Sequence, residues 1–245
     1  MRVDCHGTMQ RRISLVMPVY NEAKAVEKVV RDCHEKLIKK LPGSEFIIAE
    51  DGSTDGTKKI LRRLAKEMPL RVVMGDERKG YPRGIRDALK LPKNDIVCFS
   101  DSDGQHDPSD FLKMLDYVDR YDIIIGMKKP RRDPFHRLVL SRAYNSLIRL
   151  LFGLRFKDID SGFRVIRKKV LDDVLDKSTT LPECTNSEIT IRAAKKGYHI
   201  IEVPVTHYPR AAGDTKSFNF RKLPKVVHGL FRGLLRLKSD ISSAK

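Results

Sequence analysis

The sequence predicts an α/β protein with a parallel sheet flanked by helices, and three observations carry that prediction. Short apolar runs rich in Ile and Val alternate with helix-period segments through the first half of the chain. Three of these runs are followed at once by polar, acidic clusters. At 245 residues, the chain suits one large α/β domain, or one domain with a short appendage, and can bury a core without disulfides.

In order, residues 13–19 read as a first strand, 23–40 as a helix, and 45–49 as a second strand. A helix over 55–66, a third strand over 70–74, a short helix over 85–89 and a fourth strand over 96–99 follow. Such alternation means βαβ units with right-handed crossovers, whose sites are built from the loops after the strands. The second half is less regular: strands over 122–126, 161–166 and 198–205, a long helix over 134–152 and another over 187–196. No internal repeat or low-complexity linker divides the chain, so a single domain is expected over 13–216, preceded by an extension over 1–12. Residues 217–245 form a basic amphipathic helix: Phe220, Leu223, Val227, Leu230, Phe231, Leu234 and Leu237 recur at helical spacing among Arg221, Lys222, Lys225, Arg232, Arg236 and Lys238. Such a helix either lies in the headgroup plane of an anionic membrane or covers the domain's own core.

Composition narrows the class. The four cysteines, Cys5, Cys33, Cys98 and Cys184, form no C-x-x-C pair and have no His at ligand spacing. That argues against zinc, iron–sulfur and a disulfide framework, and for a reducing, cytosolic-side location. No apolar run reaches the length of a membrane span, and residues 1–6 lack the hydrophobic segment of a signal peptide. A net charge of +17, with basic residues weighted toward the C-terminal half, points to an anionic partner: nucleic acid, anionic lipid or a phosphorylated substrate.

Three clusters occupy the loop positions after strands one, two and four: Tyr20-Asn21-Glu22, Glu50-Asp51-Gly52-Ser53-Thr54-Asp55-Gly56-Thr57 and Asp101-Ser102-Asp103-Gly104-Gln105. Asp55 suits an N-cap for the helix that follows. Asp101 and Asp103, spaced i, i+2 at a strand's carboxyl end, would repel one another unless a cation or basic partner sat between them. A divalent ion carrying a diphosphate accounts for the pair; a strand-ending turn rich in Asp and Ser is the alternative.

Taken in order, Pro18-Val19-Tyr20-Asn21-Glu22, Glu50-Asp51-Gly52-Ser53-Thr54-Asp55, Asp101-Ser102-Asp103-Gly104-Gln105-His106 and Asp160-Ser161-Gly162-Phe163-Arg164 resemble the family 2 glycosyltransferases of GT-A fold. Within that family the chain is most similar to the polyprenyl-phosphate sugar transferases, the branch of dolichol-phosphate mannose synthases, over residues 13–216. The resemblance implies a GT-A (Rossmann-like), mostly parallel sheet flanked by helices, with the C-terminal amphipathic helix added. It implies that the loop from Pro18 through Tyr20 to Glu22, together with Asp51, holds the base and ribose of a nucleotide sugar. Asp101 and Asp103 match the family's Asp-x-Asp metal motif and Gln105 a further ligand, for Mg2+ or Mn2+. Arg164 falls in the branch's acceptor segment. Arg210, Gly213, Thr215 and Lys216 resemble an element expected to close over the donor diphosphate, with Thr in place of Ser.

The chain departs from the family pattern twice. Lys128, in Gly126-Met127-Lys128, stands where the family has an arginine, keeping the charge and losing the bidentate fork. Residues 78–84, Arg-Lys-Gly-Tyr-Pro-Arg-Gly, replace a small-residue loop and bear on which nucleotide or sugar is accepted.

Loss of a nucleoside diphosphate builds positive charge on the sugar and negative charge on phosphate. The metal would neutralise the latter, and Arg210 and Lys216 would add charge-assisted contacts. A hydroxyl acceptor needs a general base. A lipid monophosphate, with a second pKa near ~6, is already a nucleophile at neutral pH and needs only cations to place it. Lys128, Arg131, Arg137 and Arg164 are the candidates, and Arg137 is favoured because the branch carries an arginine just ahead of a segment matching Ser141-Arg142-Ala143-Tyr144-Asn145.

The catalytic set expected is therefore Asp103, Arg137, Arg164 and Arg210, in an inverting transferase moving a hexose, first of all mannose from GDP-mannose, to a dolichyl or polyprenyl phosphate. The enzyme would sit peripherally on the cytoplasmic face of a membrane; whether a membrane-protein partner substitutes for spanning helices is left open. The rival readings are a family 2 transferase using a saccharide or protein hydroxyl, and a nucleic-acid-binding protein. Against the latter, no RNA-binding aromatic motif or helix-turn-helix signal occurs and acidic strand-end loops repel phosphates unless metal-filled, so no nucleic-acid partner is expected.

Overall fold

The structure, a computed structural model, describes residues 11–130, 135–209 and 223–243. A seven-stranded sheet forms its centre, in the spatial order β3-β2-β1-β4-β6-β5-β7. The strands are β1 (Ile13–Val19), β2 (Glu45–Glu50), β3 (Arg71–Met74), β4 (Ile96–Phe99), β5 (Ile123–Lys128), β6 (Arg164–Arg167) and β7 (Ile200–Val205). β1 to β4 run parallel to one another, as do β5 and β7; β6 is antiparallel to both β4 and β5.

The helices are α1 (Val26–Lys36), α2 (Thr57–Glu67), α3 (Tyr81–Leu89), α4 (Asp110–Leu115), α5 (Phe135–Phe152), α6 (Lys168–Val174), α7 (Thr185–Lys195) and α8 (Leu223–Ser243). The β-period places alternate residues on opposite faces. Leu15, Met17, Phe46, Ile48 and Val165 thus pack with Val26 and Val30 of α1, Leu61 and Leu64 of α2, and Phe111 and Met114 of α4. Val16, Ile47, Val97, Phe99 and Ile166 face the other way, onto Ile85 and Leu89 of α3, Val170 and Val174 of α6, and Ile189 of α7. Both faces are covered, which is why these strands read as near-continuous apolar runs.

The expected elements are present with shifted ends. The first helix begins three residues later than its periodicity suggested and finishes as a 3₁₀ turn at Ile38–Lys40. The short helix before β4 begins at Tyr81, with Pro82 in its first turn, where its missing N–H costs nothing. Two short helices, α4 and α6, were not expected. The strand expected over 161–166 is confined to β6, because residues 161–163 belong to the loop before it. Gly56, in the left-handed region at φ 91°, occupies the cap position of α2, although the Asp55 carboxylate still accepts the Thr57 amide.

A third cluster lies outside the sheet layers. Ile148 and Phe152 of α5, Leu181, Ile191 of α7, and Leu234 and Leu237 of α8 are all buried together. The C-terminal helix therefore covers part of the domain's own core. Among the described residues no helix is long and apolar enough to cross a membrane.

Candidate active site

Parallel strands β1, β2 and β4 end on the same edge of the sheet, and the three acidic loops meet there. Asn21, at a φ of 52°, turns the chain out of β1; its amide donates to Ser53 Oγ at 2.9 Å and its side-chain oxygen accepts from the Thr54 amide at 2.8 Å. Asp55 ties the same two loops, accepting from the Ala23 amide at 3.2 Å and the Thr57 hydroxyl at 2.5 Å. Burial alone would raise its pKa, but these bonds hold the carboxyl below its ordinary range. Glu50 is buried and accepts from the Ser53 and Gly75 amides, so it is a structural carboxylate.

The predicted donor residues take distinct positions. Pro18 is half-buried within β1 and Tyr20 follows at its end. The Glu22 amide donates to Thr57 Oγ1 at 3.0 Å, and the Glu22 carbonyl accepts the amides that open α1. Asp51 accepts from the backbone amides of Lys79 and Gly80, one on each oxygen, at 2.8 and 3.0 Å.

Asp101 is half-buried, and its pKa is pushed well above the carboxylate range by desolvation and by the Asp103 charge. Lys128, at the end of β5, opposes this shift, and Tyr81 donates its hydroxyl to Asp101 Oδ1 at 3.4 Å. Asp103 accepts from the Gln105 amide at 3.1 Å across a turn that requires Gly104 at φ 73°. The Gln105 side-chain amide donates to the Tyr208 carbonyl at 3.4 Å, which ties this loop to the end of β7.

The Asp-Ser-Gly-Phe-Arg segment reaches the same place from β6. Gly162 lies against the Asp101 carboxylate so closely that a Cβ there would stand 1.9 Å from Oδ2. Only glycine leaves that carboxylate where it is. Asp160 lies beside it and accepts from the Ser187 amide and hydroxyl at 3.1 and 2.9 Å; desolvation of its carboxyl raises its pKa to about 6, opposed by Ser187 and by the Arg164 charge. Gly162→Ala is expected to cut transfer at least about 100-fold, by displacing a carboxylate by an ångström or more. Titration with Mn2+ should show weakened binding at an unchanged circular-dichroism spectrum; undiminished turnover would show that Asp101 need not sit where it does.

Arg164 corrects the sequence reading. It was expected to place an acceptor phosphate, but it is fully buried. Its five N–H donors make five bonds within the protein: to the carbonyls of Ser161 (from Nε and Nη2), Ile159 and Asn186, and to the Thr190 hydroxyl. Burial lowers its pKa to about 10, so it stays charged at neutral pH. A guanidinium has five donors and no acceptor, so none is left for a ligand. Arg164 is a positioning residue for residues 159–161.

Of the other expected cations, Lys128 is half-buried and its charge acts on Asp101. Arg137 lies in the first turn of α5, and its side chain is outside the described part of the structure. Arg131, Arg210 and Lys216 lie outside the described residues. Downstream on α5, Asn145 donates to the carbonyls of Ser141 and Lys157 at 2.7 and 3.1 Å, fastening the helix to the following loop.

Three groups were not picked out from sequence. Tyr81 sits in the segment flagged as unusual, but only the fold brings its hydroxyl to Asp101. Asp160 was quoted in a motif without a role. His106 stacks on Phe163 at 4.8 Å and pairs with His207 through an isolated bridge, fixing the loop that carries Asp103 and Gln105. Burial and the Lys128 charge lower its pKa to about 3, so it is neutral.

The donor set is two carboxylates and an amide, all oxygen, which suits a hard divalent ion. Among the described residues no group of three His, Cys, Asp or Glu stands close enough to hold a metal alone. The residues fit an ion that takes its remaining ligands from water or a substrate phosphate, as Mg2+ does.

The glycosyl transferase family 2 model matches residues 14–175. The chain belongs to this family. It is 31% identical to the polyprenol monophosphomannose synthase of Mycolicibacterium smegmatis, over 92% of this chain and 89% of that protein. Among solved structures it resembles a Mycobacterium tuberculosis glucosyl-3-phosphoglycerate synthase in complex with Mn2+, UDP-glucose and phosphoglyceric acid, with TM-score 0.68 at 20% identity over 94% of this chain and 80% of that one. It also resembles a Pyrobaculum calidifontis mannosyltransferase in complex with GDP-Man and Mn2+, with TM-score 0.62 at 19% identity over 97% and 75%. The fold is therefore GT-A, as the motifs implied.

Proposed function

We infer that this glycosyltransferase moves a hexose from a nucleotide sugar to a polyprenyl phosphate at the surface of an anionic membrane. The observation that carries the reading is the meeting of Asp101, Asp103 and Lys128 with the Asp160-Ser161-Gly162 loop at one strand edge. The near-full-length similarity to a polyprenol monophosphomannose synthase supports it.

The nucleotide sugar would lie across the ends of β1, β2 and β4, its base and ribose near Tyr20, Glu22 and Asp51. Asp101, Asp103 and Gln105 would hold Mg2+ or Mn2+, which as a Lewis acid stabilises the charge developing on the departing diphosphate. Lys128 lies on the same side and would share that charge, with Arg210 and Lys216 added from the segment after β7. The acceptor phosphate needs no base; Arg137 and Lys128 would place it in line with the leaving group, and such an attack inverts the anomeric centre. A radiolabelled donor panel, GDP-mannose first and UDP-glucose and UDP-N-acetylglucosamine beside it, tests the reading with a short polyprenyl phosphate and organic extraction. Label in saccharide or protein, but not in lipid, would establish the hydroxyl-acceptor reading instead.

The surface supplies the membrane part. α8 carries two apolar stripes: Leu234 and Leu237 face the core, whereas Val227, Phe231 and Leu235, one turn apart, are exposed beside Arg232 and Arg236. α5, which packs on α8, repeats the device with exposed Val139 and Leu150, the latter 80% exposed, beside Arg142 and Arg149. Apolar stripes edged by arginine match an anionic lipid surface, where each basic residue contributes about 1 kcal/mol, and the cytoplasmic leaflet is the anionic one. Deleting the whole helix would also strip the core, so point changes are the cleaner test. Val227→Glu with Phe231→Glu and Leu235→Glu should abolish flotation with phosphatidylserine vesicles while the thermal midpoint holds; unchanged flotation would refute this surface.

A further inference from the structure

Tyr208 lies just past the end of β7 and is 42% exposed, yet its hydrogen bonds among the described residues all go to the loop that carries Asp103 and Gln105. Its amide donates to the Gln105 carbonyl at 2.8 Å, its carbonyl accepts from Gln105 Nε2 at 3.4 Å, and its hydroxyl donates to Asp107 Oδ2 at 3.1 Å. Asp107 uses its other oxygen to accept from the Ser109 amide and hydroxyl, at 3.0 and 2.8 Å, which fixes the turn into α4. The same two segments are joined again by the His106–His207 bridge and by the Thr206 amide, which donates to buried Asp110 at 2.6 Å. The chain leaving β7 is therefore a backing for the loop of Asp103 and Gln105.

An amide ligand has an orientation problem that a carboxylate lacks. Either oxygen of a carboxylate can bind a cation, whereas a glutamine has to present Oε1 and turn its NH2 away. Turned over, it would aim N–H dipoles at a divalent ion. The Tyr208 carbonyl sets the choice, because it can accept from Nε2 but would meet Oε1 as one oxygen facing another. Oε1 is then left for a cation, and among the described residues no hydrogen bond holds it. At 3.4 Å this contact is long, so its directing force depends on where the Tyr208 backbone is held. The two shorter bonds, from the Tyr208 amide and hydroxyl, hold it there.

We propose that Tyr208 is a positioning residue for the metal site: anchored by its hydroxyl to Asp107, it orients the Gln105 amide so that Oε1 is the ligand atom. The inference rests on the reading of Asp101, Asp103 and Gln105 as the ligands of the ion. Tyr208 belongs to none of the three apolar clusters, so loss of its hydroxyl leaves the core intact.

The test is titration of the full chain with Mn2+, alone and with GDP present, with free Mn2+ followed by electron paramagnetic resonance. Tyr208→Phe should weaken Mn2+ binding about threefold to tenfold, the worth of one net hydrogen bond. Its thermal midpoint in EDTA should stay within about 2 °C of the wild type. Sugar transfer should need correspondingly more Mn2+ for half its maximal rate and recover at saturating Mn2+, which an unfolding defect would not do. Gln105→Ala removes the amide that Tyr208 orients, so adding Tyr208→Phe to it should change Mn2+ affinity no further. Unaltered Mn2+ affinity in Tyr208→Phe overturns the proposal, as does a loss that persists in the Gln105→Ala background or comes with a lowered midpoint in EDTA. If the wild type binds no Mn2+ in either series, the metal reading falls and the Tyr208 proposal with it. Mn2+ binding that is weakened by Gln105→Ala but not by Tyr208→Phe removes the Tyr208 proposal alone.

Discussion

Asp103→Ala is expected to lower sugar transfer by about three orders of magnitude, with the thermal midpoint unchanged or slightly raised. The rate effect follows from the leaving group. A divalent ion stabilises the developing diphosphate charge by several kcal/mol, and each 1.4 kcal/mol is tenfold in rate. Removing one of two carboxylates leaves Asp101 and the Gln105 amide, too few oxygens for a tight site. The stability effect has the opposite sign because the Asp103 charge raises the Asp101 pKa, so the pair repels in the metal-free protein. Radiolabelled transfer, thermal melting with EDTA and Mn2+ titration together check it. Wild-type rates, or intact Mn2+ binding, would take Asp103 out of the site.

Arg164→Ala is expected to act on the fold first. It removes five hydrogen bonds and leaves the buried carbonyls of Ile159, Ser161 and Asn186 without these partners. Each stranded buried polar group costs about 1–3 kcal/mol, and the emptied volume adds to that, for a loss of about 4 kcal/mol or more. In a chain of this size that lowers the melting temperature by roughly 10 °C. Transfer should fall as well, since residues 159–161 lead into Gly162, which packs on Asp101. Arg164→Lys keeps the charge but cannot reproduce the fork, and should recover only part of the stability. A variant that melts like the wild type, with only its acceptor KM raised, would restore Arg164 to the acceptor site.

The contrast between these residues shows what a sequence carries. Asp101 and Asp103 stand out in the sequence because two carboxylates after an apolar strand repel one another, and the fold keeps them close enough to do so. Arg164 was misread because an arginine beside a predicted site looks like a ligand. Its burial depends on carbonyls from residues 159–161 and from α7, and no local pattern announces that. The direction of β6 was hidden for a related reason: a four-residue strand, Arg-Val-Ile-Arg, carries no mark of its direction, and pairing between β4 and β5 decides it. α4 and α6 escaped because helices of six and seven residues show fewer than two turns of periodicity.

α8 gives the fullest example. Its sequence supports either a core-covering or a membrane-facing helix, and the structure divides it between two stripes, with Leu234 and Leu237 buried and Val227, Phe231 and Leu235 exposed. Neither stripe can be assigned before α5 and α7 are in place to cover one of them.

By itself, then, the sequence determined the α/β class and the strand edge at which its acidic loops gather. Those follow from side-chain period and charge, which act locally. Tertiary structure alone decided which cation faces the site and which is spent inside the fold, that Gly162 must lack a side chain beside Asp101, and that residues 78–81 strap three loops together. Each of these depends on atoms distant in sequence meeting within a few ångströms, where packing and desolvation, rather than residue type, set the role.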